Sequence, residues 1–93
     1  MGLAEHRKQI EKIDEALIRL IDQRIEISKK IFAAKRAEGR PISDPEREKL
    51  VLKQATDLAV ELNLDAGAIR DIFGILINMS LDKQIELQGK NQG

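Results

Sequence analysis

Apolar residues in the first third of the chain recur at alternating steps of three and four positions. The recurring residues are Ile10, Ile13, Leu17, Leu20, Ile27, Ile31 and Ala34. Because an α-helix repeats after about 3.6 residues, this spacing places them on one helix face. Neither proline nor glycine interrupts the segment, so we predict one long helix that begins between Leu3 and His6 and ends near Glu38. The alternative, a break into two antiparallel helices, has no breaker residue to mark it.

Two cations interrupt the apolar face of this predicted helix. Arg24 occupies a position where the spacing favours an aliphatic residue, and Lys35 lies eleven residues further on. Eleven steps of about 100° return to within roughly 20° of the starting direction, so both cations share that face with Ser28 and Ile31. A cation on a face that becomes buried must be paired, or it must bind an anion.

The length of the predicted helix indicates an assembly of chains. About 36 helical residues extend over about 54 Å, whereas a compact chain of this size has a radius of gyration of about 12 Å. The helix therefore projects beyond its own bundle and leaves part of its apolar face in water. Because a partner chain would cover this overhang, we expect an intertwined oligomer, most simply a two-fold homodimer.

A second helix begins at a typical start sequence. Asp44 can cap the helix, Pro45 suits the first helical position, and Glu46 complements the helix dipole. Ser43 as the cap, with Glu46 three residues later, is the other possible registration. We expect this helix to end near Leu62.

A third helix follows a short connection. Asp65 is the expected cap, and the helix is predicted from about Ala66 to about Gln88. The tail, residues 89–93, carries no pattern and is expected to be disordered. The predicted fold class is all-α: one long and two shorter helices per chain, in a single domain over residues 1–93.

The second and third helices also carry polar groups beside their apolar faces. Arg47 and Glu48 lie in the first turn of helix 2, and Ser80 and Gln84 lie one turn apart on helix 3. If the helices pack as a bundle, these groups converge with the two cations of helix 1. Cations outnumber carboxylates in this set, which favours an anionic ligand. The alternative is a purely structural pairing of Arg24, for example with Glu48.

Composition excludes several classes of function. Lys and Arg together number 16, as do Asp and Glu, and the resulting net charge of zero argues against a nucleic-acid partner. The chain has no cysteine and one histidine, so we expect no metal site and no cofactor. It has neither a signal segment nor an apolar run of about 20 residues, so we expect a cytoplasmic protein. An enzyme of this composition would work by positioning and electrostatics.

The polar residues match the pattern of a known family, the all-helical chorismate mutases, which the chain resembles over about residues 5 to 88. That pattern has an N-terminal Arg, a mid-helix Arg, a Lys near the end of helix 1, an Asp-x-x-Arg-Glu start to helix 2 and a Ser-x-x-x-Gln on helix 3. The corresponding residues here are Arg7, Arg24, Lys35, Asp44, Arg47, Glu48, Ser80 and Gln84. All eight positions hold the expected residue type, so each of these residues is a candidate for substrate binding.

The resemblance implies a stand-alone chorismate mutase that rearranges chorismate to prephenate, a step toward phenylalanine and tyrosine, without a cofactor. It implies a homodimer in which Arg7 of the partner chain joins Arg24, Arg47 and Ser80 in binding the substrate carboxylates. Lys35 and Gln84 are expected to donate to the ether oxygen, Glu48 to hold the ring hydroxyl, and Asp44 to support the substrate or the helix start. The residues expected to act in catalysis are Arg24, Lys35, Glu48 and Gln84.

Two alternatives compete with this interpretation. An isochorismate pyruvate-lyase of the same fold would bind a similar dianion, but lyase-like relatives have less polar residues at the positions of Asp44 and Glu48. A non-catalytic helical dimerisation module would use Arg24 only for pairing across the interface.

Overall fold

The computed structural model describes residues 2–92, with side chains through residue 90, and this part of the chain is all-helical. Helix α1 spans Leu3–Ala37, α2 spans Pro45–Glu61 and α3 spans Ala66–Gln92. The predicted fold class and the number of helices are therefore confirmed within the described residues. The ends of the predicted domain and tail, Met1 and Gly93, lie outside the described residues.

Helix α1 runs without a break, as its uninterrupted apolar pattern predicts, and the alternative of two antiparallel helices is wrong. Its 35 residues extend over about 52 Å and account for most of the 55 Å long axis. The radius of gyration is 16.6 Å, well above the value of about 12 Å for a compact chain of this length. The single chain is therefore elongated.

Local sequence sets the helix boundaries. Asp44 caps α2 by accepting the backbone N–H of Arg47 at 3.2 Å, so the alternative cap at Ser43 is not used. Asp65 caps α3 in the same way through the N–H of Ala68. At the end of α1, Gly39 adopts a positive φ of 69°, the left-handed conformation that closes a helix and that glycine tolerates best.

The end of α3 differs from the prediction. The helix continues beyond Gln88 to Gln92, so residues 89–92 are helical where the sequence predicts a disordered tail. Lys90 contributes to this extension, because its Nζ lies 3.2 Å from Oε1 of Glu86 one turn earlier. Its charge also complements the C-terminal end of the helix dipole.

Helix α3 packs against both α1 and α2 and forms the centre of the bundle. Arg24 contacts Ser80, and Ser28 contacts both Ser80 and Gln84, so contacts advance along α1 and α3 in the same direction. These two helices are therefore parallel. The buried apolar residues come from all three helices and include Phe32, Ala59 and Ile77.

The N-terminal half of α1 takes no part in this core. Every residue from 2 to 20 is exposed, and burial begins at Ile21. The exposed large apolar residues of this half are Leu3, Ile10, Ile13, Leu17, Ile18 and Leu20. The predicted overhang is thus present in the single chain. In the described part of the chain, none of the helices combines the length and the apolar character needed to cross a bilayer.

Candidate active site

Polar side chains from all three helices and from the loop between α1 and α2 line one pocket of about 400 Å³, a size suited to a small ligand. Its polar lining consists of Arg24, Ser28, Lys35, Asp44, Arg47, Glu48, Ser80 and Gln84. Its apolar lining consists of Ile27, Ile31, Ile42, Val51, Ile77 and Leu81. The fold therefore brings together seven of the eight residues singled out by the sequence. The eighth, Arg7, lies elsewhere.

Arg24 reaches from α1 to α3, where it is held by two acceptors. Its Nη1 atom donates to Oγ of Ser80 at 2.7 Å and to the carbonyl oxygen of Leu76 at 3.1 Å. Burial and, second, the positive charge of Arg47 lower the pKa of Arg24. Because an arginine stays charged at ordinary pH, both effects penalise a cation that remains in place. An anion in the pocket would offset this penalty.

The cations of the pocket take no part in the ion pairs that the described residues form. Across residues 2–90, the ion pairs involve neither Arg24, Lys35 nor Arg47. A structural pair between Arg24 and Glu48, one of the alternatives, is therefore absent from this part of the chain. The pocket combines three cations with two carboxylates, which favours a ligand with negative charge.

Ser28 and Gln84 are the polar side chains found buried among the described residues, each 4% exposed. Nε2 of Gln84 donates to the carbonyl oxygen of Ser28 at 3.2 Å, and the Oγ atoms of Ser28 and Ser80 are 2.8 Å apart. Oε1 of Gln84 is buried and has no hydrogen-bond partner in the described residues. Buried polar atoms without partners are rare in folded proteins and often belong to functional sites.

The loop between α1 and α2 positions the remaining polar residues. Nζ of Lys35 donates to the carbonyl oxygen of Ile42 at 2.6 Å, which holds the ammonium group at the pocket. Asp44 uses one carboxylate oxygen as the cap of α2. This cap fixes the first turn of the helix, from which Arg47 and Glu48 reach the pocket.

Arg7 lies on the exposed N-terminal half of α1. It precedes Arg24 by seventeen residues, which corresponds to about 25 Å along a helix, and it is rotated from Arg24 by about 100°. One straight helix cannot bring both guanidinium groups to one small ligand. Within a single chain, Arg7 is therefore separate from the pocket.

Sequence reasoning did not assign a role to Ser28 or to the carbonyl groups of Ile42 and Leu76. A signal for Ser28 exists, since it lies one helical turn after Arg24 on the same face. No such signal exists for the two carbonyl groups, because every residue has one and only the packing decides which of them meets a cation.

The fold and the pocket together are those of a helical domain whose interhelical pocket is suited to a small anionic molecule. The family model described as "Chorismate mutase type II" matches residues 6–85. The chain therefore belongs to the type II chorismate mutase family, and the expectation of an isomerase of this kind is confirmed.

Individual relatives agree with the family assignment. The chain is 42% identical to the chorismate mutase of Methanocaldococcus jannaschii, over 97% of this chain and 95% of that protein. It is 32% identical to the bifunctional chorismate mutase/prephenate dehydratase of Buchnera aphidicola subsp. Schizaphis graminum, over 95% of this chain. It is 34% identical to the protein of the same name from Escherichia coli K12, over 88% of this chain. The chain spans 23% and 22% of these two longer proteins.

Proposed function

We propose that the pocket binds chorismate and rearranges it to prephenate, in the pathway to phenylalanine and tyrosine. The observation that carries this proposal is a pocket with three cations, which form no ion pair within residues 2–90, beside the buried amide of Gln84. Chorismate carries two carboxylates and an ether, so it needs both cations and a neutral donor. We also propose a cytoplasmic location, because the sequence shows neither a signal segment nor an apolar run of about 20 residues.

The reaction is a rearrangement within one molecule. The ether C–O bond breaks while a new C–C bond forms between the two ends of the same substrate, and no proton or electron enters or leaves. The protein must therefore hold the compact conformer and stabilise the negative charge that grows on the ether oxygen. The residues of this pocket are suited to both tasks.

Gln84 and Lys35 are the proposed donors to the ether oxygen. The amide nitrogen of Gln84 has two N–H groups, of which one is used by the carbonyl of Ser28. The ammonium group of Lys35 has three, of which one is used by the carbonyl of Ile42. Each side chain thus keeps a donor for the substrate while its protein contact fixes its direction, which limits reorganisation during the reaction.

The arginines and Ser80 are the proposed ligands of the carboxylates. Both Nη1 hydrogens of Arg24 can be used by Ser80 and Leu76, which leaves the Nε and Nη2 edge for a carboxylate. This edge presents two parallel N–H groups, the geometry of a bidentate pair. Arg47 supplies a second guanidinium from α2.

Glu48 and Asp44 are proposed to act on the uncharged part of the substrate. A carboxylate only accepts hydrogen bonds, so Glu48 can hold the ring hydroxyl of chorismate. Asp44 keeps one oxygen on the helix cap and can accept from the same region with the other. These two acceptors distinguish the pocket from one that binds only a dianion.

The proposed active form is an intertwined homodimer in which Arg7 of each chain completes the site of the other. The apolar stripe on residues 3–20 supports this, because its large side chains are more than half exposed in the single chain. A second copy carries the same stripe and can cover it by two-fold symmetry. Covering it is favourable by the usual measure of about 25 cal/mol for each Å² of apolar surface.

The activity is tested by supplying chorismate and isochorismate separately to the purified protein. We expect conversion of chorismate to prephenate, unchanged by a chelator, and no release of pyruvate from isochorismate. Pyruvate release would favour the lyase alternative, and loss of activity with chelator would contradict a metal-free reaction. A bicyclic dicarboxylate that mimics the transition state should bind, whereas a mere dimerisation module should ignore it.

The shared site is tested with mixed dimers of Arg7→Ala and Arg24→Ala chains. Both homodimers should be nearly inactive, because every site carries a lesion. In the heterodimer, one site combines the intact Arg24 of one chain with the intact Arg7 of the other, so about half of the wild-type activity should return. A verified heterodimer that regains nothing would refute the shared site.

A further inference from the structure

Ser28 is buried and contacts three other residues of the pocket. Its Oγ lies 2.9 Å from the carbonyl oxygen of Arg24 and 2.8 Å from Oγ of Ser80. Its own carbonyl oxygen accepts the amide of Gln84. Ser28 is outside the set of residues that the family pattern indicates, yet it contacts three members of that set.

Counting protons shows that these contacts allow two arrangements. Ser28 and Ser80 each have one hydroxyl proton and lone pairs to accept others. In the first arrangement, Ser80 donates to Ser28 and Ser28 donates to the carbonyl of Arg24. In the second, Ser28 donates to Ser80, and the O–H group of Ser80 points toward the pocket, where it can donate to a ligand. Arg24 donates to Oγ of Ser80 in both arrangements.

We propose that Ser28 is a positioning residue that exchanges its hydrogen bond between the carbonyl of Arg24 and Ser80 when a carboxylate binds. This inference rests on the proposed function of the pocket. With no anion present, the first arrangement satisfies both hydroxyls inside the protein. A bound carboxylate accepts the hydrogen bond of Ser80, and Ser28 then donates to Oγ of Ser80, so that one proton still lies between the two hydroxyl oxygens, which are 2.8 Å apart.

The hydroxyl of Ser28 can be removed without disturbing its other contact. Ser28→Ala deletes Oγ but keeps the backbone carbonyl that orients Gln84. A matched control is available on α2, where the hydroxyl of Thr56 donates to the carbonyl of Leu52 at 3.0 Å, one turn earlier. Thr56→Val removes a hydroxyl bonded in the same local way, outside the residues that line the pocket.

The experiment measures kcat and KM for chorismate, and the affinity for the bicyclic mimic, in Ser28→Ala, Ser80→Ala and the double variant. Loss of one neutral hydrogen bond predicts that Ser28→Ala raises KM and weakens the mimic by about three- to tenfold, with a smaller change in kcat. In the Ser80→Ala background the same change should have almost no effect, since Ser28 acts through Ser80. Thr56→Val should leave all three quantities near their wild-type values.

The outcomes separate this inference from the proposed function. If the wild type converts chorismate and the two losses multiply, the relay through Ser80 is wrong while the function holds. A drop in kcat alone, with KM and mimic affinity unchanged, would also overturn it. A wild type that leaves chorismate untouched would overturn both proposals. Thermal unfolding of each variant shows how much of its lost activity or affinity comes from unfolded protein. If unfolded protein accounts for the whole loss in Ser28→Ala, the positioning role is overturned.

Discussion

The two halves of α1 carry the same apolar repeat but have different surroundings. Residues 3–20 are all exposed, whereas the segment from Ile21 to Ala37 packs against α3 and includes buried Ser28 and Phe32. The repeat is uniform in the N-terminal half and is interrupted by Arg24 in the C-terminal half. One helix therefore combines an uncovered apolar stripe with one wall of a polar pocket.

The contrast shows what an interruption of an apolar face means. In the N-terminal half, the stripe needs only a surface to cover it, and any matching apolar face satisfies it. In the C-terminal half, each polar residue needs a partner of defined geometry, which α3 supplies through Ser80 and Leu76. The first half is suited to assembly and the second to chemistry.

The largest expected effect comes from placing a charge in the stripe. Leu17→Glu should abolish the proposed dimer, because it would bury an unpaired carboxylate twice by symmetry. With Arg7 of the partner removed from the site, activity should fall below about one hundredth of wild type. Analytical ultracentrifugation and chorismate consumption measure the two effects together.

The control for this change is Lys8→Glu, nine residues before Leu17. Nine steps of about 100° place it on the opposite side of the helix, so assembly and activity should be retained. A Leu17→Glu chain that is monomeric and fully active would show that the N-terminal half is not needed for the site.

The next effect concerns the C-terminal half and α3. Gln84→Ala should lower kcat by about 10²- to 10³-fold, the usual loss for one donor at developing charge, and should change KM much less. Gln54→Ala, an exposed glutamine on α2, is the control and should be neutral. A near-normal kcat in Gln84→Ala would mean that this amide only fills the core.

A smaller loss of activity is expected from Gln84→Glu, which keeps the shape of the side chain but makes it titratable. The neutral amide of the wild type donates at all ordinary pH, so it imposes no acidic optimum. Gln84→Glu donates only when protonated, so activity should be highest at low pH and fall about tenfold per unit above the pKa of the new carboxyl group. A pH–rate profile like that of wild type would contradict the donor role.

The smallest effect is expected off the stripe in the N-terminal half. Arg19 pairs with Glu15 at 2.8 Å, but their side chains are 73% and 63% exposed. Because exposed ion pairs of this kind contribute little, Arg19→Ala should change activity by less than about twofold and leave the melting temperature nearly unchanged. Thermal denaturation and a kinetic assay check this. A large loss of activity or of melting temperature would mean that the partner chain covers residues beyond the apolar stripe.

The three helices and most of the polar residues of the pocket could be predicted from the amino-acid sequence alone. Helix starts depend on local chemistry, so Asp44 and Asp65 could be identified as caps from their neighbours alone. Periodicity depends on spacing within one helix, so Arg24 and Lys35 were visible as cations on an apolar face. The end of α3 was predicted too early, because Gly89 and the polar tail conceal the support that Lys90 and Glu86 give to the last turns.

Which polar groups contact each other depends on how the helices pack. Ser28 and Ser80 are 52 positions apart in the chain, and their contact depends on how α1 lies against α3. The carbonyl groups of Ile42 and Leu76 became acceptors for Lys35 and Arg24 because of where the loop and the helix pass. The residue type predicts that a side chain is charged. Its partner depends on packing between residues that are far apart in the chain, and local sequence patterns do not predict such contacts.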